Sequence, residues 1–126
     1  MAFRNCLHWS FVKWLPRKQP IRAANNYALT LLELQRFEEA KGILRRTVPV
    51  AQRTLGAEHE LTLSLREDLS HATLDGESSA EEKREALRIL EEVAGVIRRI
   101  LGPAHPNTLY TQRNLERYRK KFPTVQ

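Results

Sequence analysis

Two eleven-residue segments of this chain are near-copies of one another. RTLGAEHELTL begins at Arg53 and returns as RILGPAHPNTL from Arg99, with Gly56 and Gly102 46 residues apart. The shared box is Leu55-Gly56-x-x-His59 and Leu101-Gly102-x-x-His105, the second followed by Pro106. Other positions keep the same register. Ala40 matches Ala86 and Leu44 matches Leu90, while Asp68-Leu69 and Asn114-Leu115 each lie nine residues after their histidine. Asn26-Tyr27-Ala28 fills that slot one unit earlier, although no box precedes it. Recurrence at a period of 20–50 residues marks a stacked array, in which each unit buries its apolar face against the next.

The units read as helix pairs. Ala24, Tyr27, Leu31 and Leu34 follow three-and-four spacing, the stripe of an amphipathic helix. A second helix carries Ala40, Leu44, Val48, Ala51 and Leu55, with Pro49 inside it, so a kink is expected near residues 45–49. A third runs from about His59 through Leu61, Leu65, Leu69 and Ala72 and stops at Asp75-Gly76. The fourth opens on a capping pattern, Ser79 with Glu82. Its stripe of Leu87, Leu90, Ala94, Ile97 and Leu101 is widened by Ile89, Val93, Val96 and Ile100, an arc that needs two neighbours to cover it. The fifth starts at His105-Pro106, proline suiting a first helical position, and carries Leu109, Leu115, Tyr118 and Phe122. The expected fold class is therefore all-α, an α-solenoid of antiparallel helix pairs: about two and a half units over residues 21–122, an N-terminal helix over 1–20 and a tail at 123–126.

Within the box each residue has a mechanical use. Gly56 and Gly102 follow the last apolar residue of a helix, where a left-handed cap favours glycine. His59 and His105 stand where the next helix begins and can cap it. As metal ligands or acid–base groups they lack a second His, a Cys or a paired carboxylate at ligand spacing, so neither metal nor cofactor is expected.

Paired helices with Asn26-Tyr27-Ala28, Phe37-Glu38-Glu39-Ala40 and Leu101-Gly102-x-x-His105-Pro106 resemble tetratricopeptide repeats of the kinesin light chain type. The sequence departs from that pattern at Glu60, where proline is usual, at Asp68 for asparagine, at Pro49, and in a loop lengthened by residues 76–83. The resemblance implies that the first helices of the pairs line a concave groove for a partner peptide or helix. It places Asn26, Asp68 and Asn114 on that inner face, with Leu29, His71 and Arg117 one turn on. Amide side chains both donate and accept, so they can hold an extended backbone, whereas an ionised Asp68 only accepts and disfavours acid at mid-groove. Basic residues at 117–121 favour acid at the other end.

Charge separates the chain into three parts. The total is +6, but residues 1–32 carry +5 with no acid, residues 33–97 carry −5, and residues 98–126 carry +6. The alternative function is RNA binding by Arg113, Arg117, Arg119, Lys120 and Lys121, with Tyr110 and Tyr118 as stacking faces. No phosphate loop, nucleophile elbow or His-Glu-x-x-His pair is present, so no enzyme is expected. Cys6 stands alone, which excludes a disulfide framework.

Phe3, Leu7, Phe11 and Trp14 share a helical face among Arg4, Lys13, Arg17 and Lys18. That leader reads as a capping helix, or alternatively as an import signal. The chain is expected in the cytoplasm, without a membrane span. Two pairs and one helix fall short of the three repeats such arrays need, so self-association or membership of a longer array is expected, with low thermal stability.

Overall fold

The computed structural model describes residues 18–123, so the leader helix expected before residue 18 and the end of the tail lie outside the described residues. Every regular element among them is an α-helix: α1 (Lys18–Glu33), α2 (Phe37–Leu55), α3 (Glu60–Asp75), α4 (Ala80–Leu101) and α5 (Pro106–Lys121). Successive helices pack on one another, and α1 also touches α3. First helices of neighbouring units thus lie side by side, the arrangement of a solenoid.

Each pair has its own core, and α3 belongs to both. Ile21, Ala28 and Leu31 of α1 meet Ala40, Leu44 and Ala51 of α2 and Leu61, Leu65 and Ala72 of α3. Leu74, at the end of α3, joins Ala86, Leu87, Leu90 and Ala94 of α4 with Leu115 and Tyr118 of α5. Small residues recur in the cores: Ala40 and Ala86, in matching slots, are both buried.

The two elbows are copies in detail. His59 has φ −67° and ψ 143°, and His105 has φ −66° and ψ 139°. Nδ1 of each accepts a hydrogen bond at 3.1 Å from the backbone N–H two residues on, Leu61 or Asn107. Both histidines are therefore N-caps, each satisfying a helix-terminal donor. Gly56 (φ 99°, ψ 157°) and Gly102 (φ 91°, ψ 159°) do have positive φ, but with an extended ψ instead of the left-handed helical cap expected. That region is almost closed to other residues, which explains glycine more strictly than a cap would.

Three further expectations need correction or completion. α2 runs as one helix from Phe37 to Leu55 with the exposed Pro49 inside it, at the place where the kink is expected. The buried stripe of α1 is Ile21, Ala24, Ala28 and Leu31, whereas Tyr27 is 53% and Leu34 60% exposed. Leu109, placed on the apolar stripe of α5, is 46% exposed, and Ile100 and Leu101 at the end of α4 are also exposed. The wide apolar arc of α4 is covered at its start and open at its end.

The lengthened loop has a partner. Lys41, buried on α2, reaches the Glu77 carbonyl (3.2 Å), Ser78 Oγ (3.0 Å) and the Glu38 carboxylate (2.6 Å). Gly76 lies so close that an added Cβ would sit 2.8 Å from Phe37 Cβ. Immediately after, Ser79 and Glu82 exchange both bonds of the capping box, at 3.1 and 3.3 Å.

Candidate interaction groove

α3 and α5 run side by side and meet through polar side chains. Glu67, His71 and Asp75 repeat every four residues along one face of α3. Across from them Thr111 Oγ1 lies 3.0 Å from Glu67 Oε2, and the Tyr118 hydroxyl lies 2.7 Å from Asp75 Oδ2 and 2.9 Å from His71 Nδ1. The phenol has one proton, and an ionised Asp75 only accepts. His71 Nδ1 is therefore the protonated nitrogen, donating to the tyrosine oxygen. Its Nε2 lies 3.7 Å from Glu67 Oε1. Lys121 closes the row 3.6 Å from Asp75. Burial, then the Asp75 carboxylate holding its proton, pushes the Tyr118 phenol well above its ordinary value.

At the N-terminal ends of α3 and α5 this seam opens into a cleft of about 550 Å³. Leu63, Ile97, Ile100, Leu101 and Tyr110 give it apolar walls, and Glu58, Glu60 and Glu67 place carboxylates around it. Arg99 is paired with Glu58. The arrangement can hold an apolar side chain beside a positive charge.

The residues expected to line the groove are distributed unevenly. Asn26 is exposed on α1, and Arg117 is exposed on α5 with its guanidinium 4.8 Å from the Tyr118 ring centre. His71 and Asn114 are half-buried, His71 already engaged by Tyr118. Asp68 is buried, with Oδ2 covered and unpartnered, so it does not face an open groove as expected. Its helix has neighbours on both sides, and burial lifts the carboxyl from 3.8 to about 7, with His71 opposing the rise and Glu67 adding to it. Tyr118 is buried too, which removes it as a stacking face for RNA. Two of the five basic residues are in ion pairs, Arg119 with Glu91 and Lys121 with Asp75.

Glu67, Asp75 and the Tyr118 hydroxyl were not anticipated as a connected set. Their signal was the four-residue period 67, 71, 75 on the middle helix, facing tyrosine in the slot where the preceding unit has Ala72. Among the described residues no three His, Cys, Asp or Glu side chains converge as metal ligands, and no helix is long and apolar enough to cross a membrane.

A family model described as tetratricopeptide repeat matches residues 21–60 and 77–107, more than half of the chain. The unmatched stretch between them is almost all of α3, the helix that carries the buried acid and histidine. No curated protein and no solved structure gives a match. The matched stretches hold most of α1, all of α2 and α4, and both elbows, so the chain belongs to the tetratricopeptide repeat family, whose repeats mediate protein–protein interaction and are not catalytic.

Proposed function

We propose that this chain is an interaction module of the kinesin light chain-like subtype, and that it takes a segment of a partner protein into the cleft between α3 and α5. The subtype reading rests on the doubled Leu-Gly-x-x-His box. The cleft itself carries the binding reading: Ile100, Leu101 and Tyr110 are exposed apolar groups lining one concavity of about 550 Å³. Its carboxylates favour a segment with an apolar anchor next to Lys or Arg. Asn26, Asn114 and Arg117 extend the contact along the inner face, while Asp68 and His71 support it from beneath. The same reading keeps the chain in the cytoplasm, with import through the leader as the alternative, which imaging a C-terminal fusion distinguishes.

Selection of displayed peptides on the purified chain tests the proposal. Enriched sequences should pair an apolar anchor with a basic neighbour, bind after nuclease treatment, and lose affinity with Tyr110→Ala or Leu101→Asp. Binding indifferent to both substitutions would overturn the assignment of the cleft. Binding of generic RNA with a steep salt dependence would favour the nucleic-acid alternative.

A further inference from the structure

Three carboxylates line the cleft between α3 and α5, and they are not equivalent. Glu58 is taken by Arg99. Glu60, in the first turn of α3, is exposed, where water and salt screen its charge. The Glu67 side chain is only 12% exposed, so its charge is screened least. In the repeat register Glu67 stands where α1 has Asn25 and α5 has Arg113, so this slot is acidic on the middle helix alone. Hydrogen bonding also sets its two oxygens apart. Oε2 is held by the Thr111 hydroxyl of α5 at 3.0 Å. Oε1 has no hydrogen bond among the described residues, and His71 Nε2 lies 3.7 Å from it, beyond bonding distance. The bond from His71 Nδ1 to Tyr118 fixes the ring there, so it flanks Oε1 without saturating it.

We propose that Glu67 is the residue of this cleft that reads the partner's basic side chain, and that it selects lysine over arginine. The inference rests on the cleft being the binding site. An arginine fork is strongest when it spans both oxygens of a carboxylate, and Thr111 has claimed one of the two. An ammonium group is a point charge that a single open oxygen can take. Its four-carbon stem suits the apolar walls made by Leu63, Ile97 and Tyr110. Thr111 is thus the positioning residue: by occupying Oε2 it turns a two-pronged acceptor into a one-pronged one.

The probes are n-butylammonium and n-propylguanidinium, the two basic side chains without a backbone, titrated into the full chain and followed by methyl NMR. Both should shift the Leu63 and Ile97 methyl signals, n-butylammonium at severalfold lower concentration. Glu67→Gln keeps the shape and the acceptor for Thr111 but removes the charge. It should weaken n-butylammonium roughly tenfold, the worth of a charged hydrogen bond, with helical circular dichroism unchanged. Glu60→Gln should change little. Thr111→Val frees Oε2 and should move the preference toward the guanidinium, whereas Thr111→Ser keeps the hydroxyl and should keep the preference. That ratio is measured within one folded protein, so a general loosening of the seam does not reverse it. Methyl shifts with equal affinity for the two ions, or a loss on Glu60→Gln larger than on Glu67→Gln, would overturn the assignment to Glu67 and leave the cleft standing. No shift with either ion would overturn the cleft reading too.

Discussion

Helices α3 and α5 begin from two copies of one elbow, with matching caps and glycine conformations, yet Leu63 is 5% exposed and its counterpart Leu109 46%. The local sequence builds the same turn twice, and the neighbours then decide what the helix buries. α3 lies between α2 and α4, and accordingly buries Thr62, Asp68, Ser70 and Thr73 along with its leucines. Among the described residues α5 packs on α4, and its exposed positions include Glu116, Arg117 and Lys120. Glu116 stands in the slot of Ser70, which is buried, and of Ala28, which is buried in the core shared with the second helix of its unit. At that slot a carboxylate is tolerated only where no such helix presses on it.

Substitutions can break or sharpen this contrast. Tyr118→Ala should have the largest effect, destabilising by about 3–5 kcal/mol in urea titration, because it empties a buried ring and releases Asp75 and His71 together. A loss under about 1 kcal/mol would mean that α5 is not held by that seam. Asp68→Asn probes the other helix. The folded chain holds the Asp68 proton more tightly than the unfolded chain does, so this group favours folding fully below pH about 4 and less as pH rises toward 7. The variant should therefore exceed the wild type above pH 7 by on the order of 3 kcal/mol, with no gain near pH 4. Parallel pH profiles would show that the carboxyl is not desolvated.

The elbows should respond alike. Gly56→Ala and Gly102→Ala each meet open space, so about 1–3 kcal/mol of backbone strain is the whole expected cost. His59→Ala and His105→Ala should be mildest, about 0.5–2 kcal/mol each through loss of the cap. Unequal losses within either pair would show that the repeat's mechanics differ between units.

Periodicity made the helices and the elbows legible, because those depend on residues close in sequence. The row joining α3 to α5 was half legible. Glu67, His71 and Asp75 share a face by spacing alone, but which way that face turns depends on Tyr118, 43 residues past Asp75. Asp68 was misplaced because register assigns a slot without saying whether a neighbour closes over it. Tyr27 and Leu34 failed as core residues for the complementary reason: their spacing is helical, but the buried side of α1 is rotated toward Ala28. The loop at 76–79 looked like an insertion until Lys41, 36 residues before Glu77, supplied the group that fastens it.

Lys41 has a chemical consequence. Its ammonium group spends its three hydrogens on Glu38, Glu77 and Ser78, inside a side chain 3% exposed. An amine in that state is withheld from acylating reagents and from enzymes that acetylate or conjugate lysines, while the exposed Lys120 stays reactive. Acylation at position 41 would thus serve as a timer for release of the 76–79 strap from α2.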